Sequence, residues 1–147
     1  MKDSNLQSSQ KKQFPSVSKK MMDFLPVLLF SSLYGTYLDL YFVGKGLYSF
    51  PMRPLSDIFT INMAFTLIGL PLLTIFVIFI YRKVNRWKGI IFIVTTSLLM
   101  AVFEKLAESM GFFVHHQSWK HLYSFIGYNF YFILMLTLSA FIDYIKK

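Results

Sequence analysis

The chain has 147 residues, 55% hydrophobic and 19% aromatic, with a formal net charge of +8 at pH 7 and no cysteine. The absent cysteine excludes disulfides, thiolate metal sites, a cysteine nucleophile and cysteine-linked lipid anchors. Charges lie almost wholly outside four apolar runs, which excludes an ordinary soluble domain, and the basic residues form no single stripe, which argues against a nucleic-acid partner.

Residues 1–20, rich in Ser, Gln and Lys, carry too little apolar surface to fold alone and are expected to form a disordered cytoplasmic tail. The apolar run after them has the basic lead of a secretory signal. It is too long for one and ends without a small-residue cleavage site, so it is expected to stay as the first helix. Residues 21–147 read as an all-α, polytopic transmembrane four-helix bundle with spans at about 24–43, 58–80, 89–108 and 121–143. Each is close to the ~20 residues that cross a bilayer core. The lipid bilayer is the partner this pattern names; homo-oligomerisation or a membrane partner protein is left open.

In the first span Ser32, Gly35 and Asp39 share a face at helical spacing. The next connection holds the Gly44-Lys45-Gly46 triplet, read as a flexible turn. Pro51 and Pro54 then prevent a regular helix and are expected to deliver Arg53 toward the acidic residues. The second span offers Asn62, Thr66, Gly69 and Leu73 on one face, with Pro71 expected to kink it. The third offers Ser97, Ala101, Glu104, Glu108 and Gly111, and the fourth His121, Ser124, Tyr128 and Tyr131. Small and weakly polar residues concentrate at transmembrane helix contacts, so these four seams are expected to face one another.

Basic residues set the expected orientation, because short cytoplasmic segments carry the excess of Lys and Arg. The tail, the connection with Arg82, Lys83, Arg86 and Lys88, and the end with Lys146 and Lys147 then share the cytoplasmic side. Both termini are expected inside the cell, at the plasma membrane. At ~1.5 Å rise per residue, Asp39, Asn62, Glu104, His121 and Ser124 fall near one level in the outer third of the bilayer. An ionised carboxylate in hydrocarbon costs ~2.5 to 3.5 kcal/mol or more, so Asp39 and Glu104 need partners or water. Asp39, Asn62, Glu104, His116, Trp119, His121 and Tyr128 are the ligand-binding candidates. Arg53, Lys105 and Glu108 are the candidates for structural ion pairs, with Asp39 or Glu104 bonded to Arg53 or Lys105.

The string HHQSWKH invites a metal reading through His116 and His121 with Glu104 or Asp39. Helical ligand pairs prefer separations of three or four, and these two histidines are five apart, so no metal and no cofactor is expected. His-Glu-x-x-His, Gly-x-Ser-x-Gly, phosphate-loop and dinucleotide patterns are all missing. The expected role is a binding, sensing or accessory subunit with an outward-facing polar cluster. The alternatives are a membrane enzyme using Glu104 or Asp39 with His121 on a lipid or cell-wall substrate, or a subunit of a small oligomeric transporter. The nearly all-apolar inner halves of the first two spans count against conduction.

The strings YGTYLDLYFVGKGLYSFPMRP and EKLAESMGFFVHHQSWKHLYSFIGY, with the span count, resemble a family of small uncharacterised integral membrane proteins of endospore-forming Gram-positive bacteria. The resemblance runs from about Leu29 to the C-terminus and rests most on Asp39, Glu104, His116, Trp119 and Tyr123. It implies a four- or five-helix plasma-membrane protein and carries no activity with it.

Overall fold

A computed structural model describes residues 16–146, with side chains from Met22 onward. Among the described residues the chain forms four helices: α1 (Ser16–Gly44), α2 (Leu70–Tyr81), α3 (Arg86–Ser109) and α4 (His121–Ile145), with a π-helical turn at Phe65–Gly69 leading into α2. Two short strands, β1 (Tyr48–Ser49) and β2 (Val114–His115), complete it. The expected disordered tail lies outside the described residues as far as residue 15, and α1 already runs through residues 16–20.

Three segments, Met22–Gly44, α3 and α4, are long and apolar enough to cross a membrane, and the apolar helix Phe65–Tyr81 is shorter. The second helical segment starts seven residues later than the expected span, because the loop ahead of it is fastened into its own turns. Ile58 and Phe59 amides donate to the Leu55 carbonyl, and Asn62 Oδ1 caps the π-helical turn by accepting from the Phe65 amide at 3.2 Å. Large apolar side chains face outward on every helix, among them Leu33, Leu72, Ile91 and Ile133. Such flanks are stable against hydrocarbon, where lipid takes the place of a second protein layer.

Two helix ends shape the site by the same device. After α1, the Gly46 amide bonds to the Val43 carbonyl at 2.9 Å and the Leu47 amide to the Phe42 carbonyl at 3.0 Å. After α3, the Gly111 amide bonds to the Glu108 carbonyl at 3.0 Å and the Phe112 amide to the Ala107 carbonyl at 2.9 Å. Both are Schellman caps, and both glycines sit at positive φ, 69° and 79°, where a Cβ is disfavoured. The Gly44-Lys45-Gly46 turn is therefore a helix stop of defined shape. Each stop throws the chain into a short strand, and the strands pair antiparallel with Tyr48 opposite His115 and Ser49 opposite Val114. The His116 amide extends the ladder to the Leu47 carbonyl at 2.8 Å.

The core joins α1, α2, α3 and α4 through Val27, Leu70, Val77, Ile78, Ile93, Tyr131, Phe132 and Met135. Within it, Ser31, Thr74 and Tyr131 hydroxyls bond one another at 2.5 to 3.1 Å, tying three helices together. The seam of α1 is therefore Ser31, Gly35 and Asp39, one residue from the expected Ser32. Replacing Tyr131 by Phe leaves Ser31 and Thr74 bonded to each other. It should cost about 0.6 to 1.5 kcal/mol in thermal unfolding in detergent, with helical content unchanged.

Two ion pairs close the opposite end of the bundle. Arg82 bonds Asp143 at 2.5 Å and Ser139 at 2.6 Å, and Lys146 bonds Asp23 at 2.7 Å. These exposed pairs fix the register of helix ends more than they stabilise, since such pairs contribute ~0 to 1 kcal/mol.

Candidate functional site

At the end where α1 and α3 stop and α4 begins, two cavities of about 140 and 230 Å³ share a wall made of Asp39, Tyr48, Phe65, Glu104 and Tyr128. Asp39 comes from the last turns of α1 and Glu104 from those of α3. Tyr48 is carried in by β1, so its position follows from the Gly46 cap and the strand pair. Tyr48 donates to Asp39 Oδ1 at 2.7 Å. Burial and the adjacent Asp39 carboxylate raise the Tyr48 hydroxyl far above the ordinary tyrosine range, which keeps it a donor. Asp39 Oδ2 is buried with no hydrogen-bond partner among the described residues.

Glu104 is held from α4. Ser124 Oγ donates to Glu104 Oε1 at 2.5 Å, His121 Nδ1 lies 3.3 Å from the same oxygen, and Trp119 Nε1 donates to Ser124 Oγ at 3.1 Å. Trp119 also roofs the cavity, its ring meeting Phe42 at 5.2 Å and Tyr48 at 5.3 Å edge to face. The π-electron faces and edges of Phe42, Tyr48, Trp119 and Tyr128 thus surround two carboxylates. Among the described residues neither carboxylate is paired with a lysine or arginine.

Asp39, Asn62, Glu104, Trp119 and Tyr128 line one or both cavities, as a shared site requires. His121 lies against Glu104 at their rim. His116 does not join them. It is exposed, and its Nδ1 takes the Ser118 amide at 3.2 Å. Strand pairing explains this, because neighbours on a strand point to opposite faces: His115 turns inward, its ring 5.0 Å from that of His121.

Arg53 is the clearest correction among the ion-pair candidates. Its Nε, Nη1 and Nη2 donate to the carbonyls of Phe59, Phe50 and Ser56 at 2.5, 2.6 and 3.0 Å. A guanidinium presents a fixed fork of donors, and here the fork folds the loop rather than reaching a carboxylate. Lys105 is exposed and makes no ion pair among the described residues, because it follows Glu104 around the helix onto the outer face. Glu108 does pair, with His115 and with His121.

No known protein family, curated protein or solved structure matches this chain.

Proposed function

We propose that the chain is a multi-pass plasma-membrane binding or sensing protein whose outward-facing pocket receives a small organic cation. In this reading all four helical segments cross, both termini are cytoplasmic, and the bacterial family named by the resemblance is the one it belongs to. The observation that carries it is Asp39 Oδ2, a buried carboxylate oxygen without a hydrogen-bond partner among the described residues, on the wall of a cavity shared with Glu104. A carboxylate at that depth needs a positive charge or water, and no lysine or arginine of the described chain supplies one. Aromatic faces attract cations, quaternary ammonium groups above all.

The Glu104–His121 contact at 3.3 Å also meets the distance requirement of the enzyme reading. Among the described residues no hydroxyl is hydrogen-bonded to the His121 imidazole, so acid–base chemistry by that pair, without a serine nucleophile, is the form of the enzyme reading that the contact suits. Conduction is disfavoured further by the buried Ser31–Thr74–Tyr131 knot and by Phe132, which close the bundle below the cavity.

The test is thermal unfolding of the detergent-purified protein with tetramethylammonium, choline or guanidinium, against sodium at equal ionic strength. A cation held only by the folded state adds ~2.7 kcal/mol at a hundred times its dissociation constant. Asp39→Asn should fold and lose that response. No shift in the wild type, or an equal shift in Asp39→Asn, sinks the proposal.

A further inference from the structure

Beside the cavities, and contributing to neither, Glu108, His115 and His121 bring one ligand atom each to within 4.8 Å of one another. Glu108 lies in the last turn of α3, His115 on β2 and His121 at the start of α4, so the cluster joins three elements fixed by the Gly111 cap and the strand pair. The side chains of the three are 28%, 23% and 29% exposed, which leaves the cluster reachable from water yet sheltered. His121 Nε2 lies 3.4 Å from Glu108 Oε2, while its Nδ1 faces Glu104 Oε1 at 3.3 Å. His115 Nδ1 is buried and touches Glu108 Oε1 outside hydrogen-bond geometry.

We propose that Glu108, His115 and His121 bind a divalent transition-metal ion of the zinc class. Two imidazoles and one carboxylate form a recurrent three-ligand zinc set, with a fourth position left for water or another ligand. Magnesium and calcium favour oxygen-only surroundings and fit this set poorly. The second nitrogen of a metal-bound histidine is commonly fixed by a carboxylate, and Glu104 stands in that relation to His121 Nδ1. Glu104 is then a positioning residue for the ion. Without an ion, His121 has two carboxylate partners, while His115 Nδ1 has only its ion-pair contact with Glu108 and no hydrogen bond among the described residues. A shared ion uses that nitrogen. None of the three ligands lines the organic-cation pocket, and Glu104, on the wall of that pocket, is the residue through which the two sites adjoin.

The experiment uses tag-free, detergent-purified protein, stripped with chelator and titrated with zinc by calorimetry and with Co²⁺ by visible absorption. One zinc per chain is expected, with cobalt bands that zinc displaces and no uptake of magnesium. His115→Ala and His121→Ala should each abolish stoichiometric binding, and Glu104→Gln should weaken it about 10- to 100-fold. His116→Ala, which alters the exposed neighbour, should leave it unchanged. Absence of stoichiometric zinc on the wild type overturns the site, whatever the variants do. Undiminished affinity in a folded His115→Ala, or an equal loss in His116→Ala, overturns it as well.

Discussion

Trp119→Ala should lower the stability of the purified protein by about 3 kcal/mol and remove the response to organic cations that we propose. The ring meets Phe42, Tyr48 and Tyr123 at 5.2, 5.3 and 5.8 Å. Each such aromatic pair contributes ~0.5 to 1.5 kcal/mol beyond area burial. Its Nε1 also orients Ser124, which in turn donates to Glu104. Trp119→Phe separates the two contributions: it keeps most of the packing and frees Ser124, so stability should fall by about 1 kcal/mol while cation affinity weakens. Thermal unfolding with and without tetramethylammonium reads both. If Trp119→Ala unfolds at the wild-type temperature with its ligand response intact, the aromatic roof is not part of the pocket.

The helices and their polar faces were legible because each leaves a periodic trace. Ser97, Ala101, Glu104 and Glu108 occupy the inner or flanking face of α3, and Ser124 and Tyr131 are buried on α4, as the spacing expects. The second segment departs from its expected phase. Its expected face, Asn62, Thr66, Gly69 and Leu73, becomes Thr66, Leu70, Thr74 and Val77 in the fold. A π-helical turn inserts an extra residue per turn, which rotates everything after it by about one position. Pro71 sits at the point of change and cannot donate to the Leu67 carbonyl, so the backbone widens where a periodic reading assumes 3.6 residues per turn. The expectation at Pro71 is a kink in a helix of regular period, and a regular period carries no such change of phase.

The site was legible in its acids and not in its assembly. Asp39 and Glu104 announce themselves as carboxylates in apolar sequence, and Trp119 and Tyr128 as aromatics near them. Tyr48, the direct partner of Asp39, has no helical periodicity to place it, because a two-residue strand leaves almost no pattern. Gly46 and Gly111 were the available signal. Each stands where a helix stop needs positive φ, and recognising both as caps would have sent two extended segments into the same space. His115 follows from that pairing, since it lies opposite Tyr48. Arg53 looked like a counter-ion because charge is visible in sequence and the carbonyls of a folded loop are not.

The phase of the second segment gives the remaining large effect, at Gly35. A Cβ at this position would lie 2.3 Å from Leu70 Cδ2, so the buried Leu70 side chain, 4% exposed, must shift from its place in the core. Gly35→Ala should therefore cost about 1 to 3 kcal/mol by overpacking, and Leu70→Ala about 2 to 5 kcal/mol by leaving a void. Combined, the new methyl enters part of the space that leucine vacates. The double variant should be more stable than the sum of the singles by about 0.5 to 3 kcal/mol in thermal unfolding. Leu73→Ala, at the position an unbroken helix would turn inward, should show no such coupling with Gly35→Ala. Both Gly35 and Leu70 line the smaller cavity below Asp39, so Gly35→Ala should also weaken cation binding by narrowing it. Additive losses for Gly35 and Leu70, with coupling at Leu73 instead, would mean that the helix runs regularly through Pro71. The floor of the pocket would then be built from different residues.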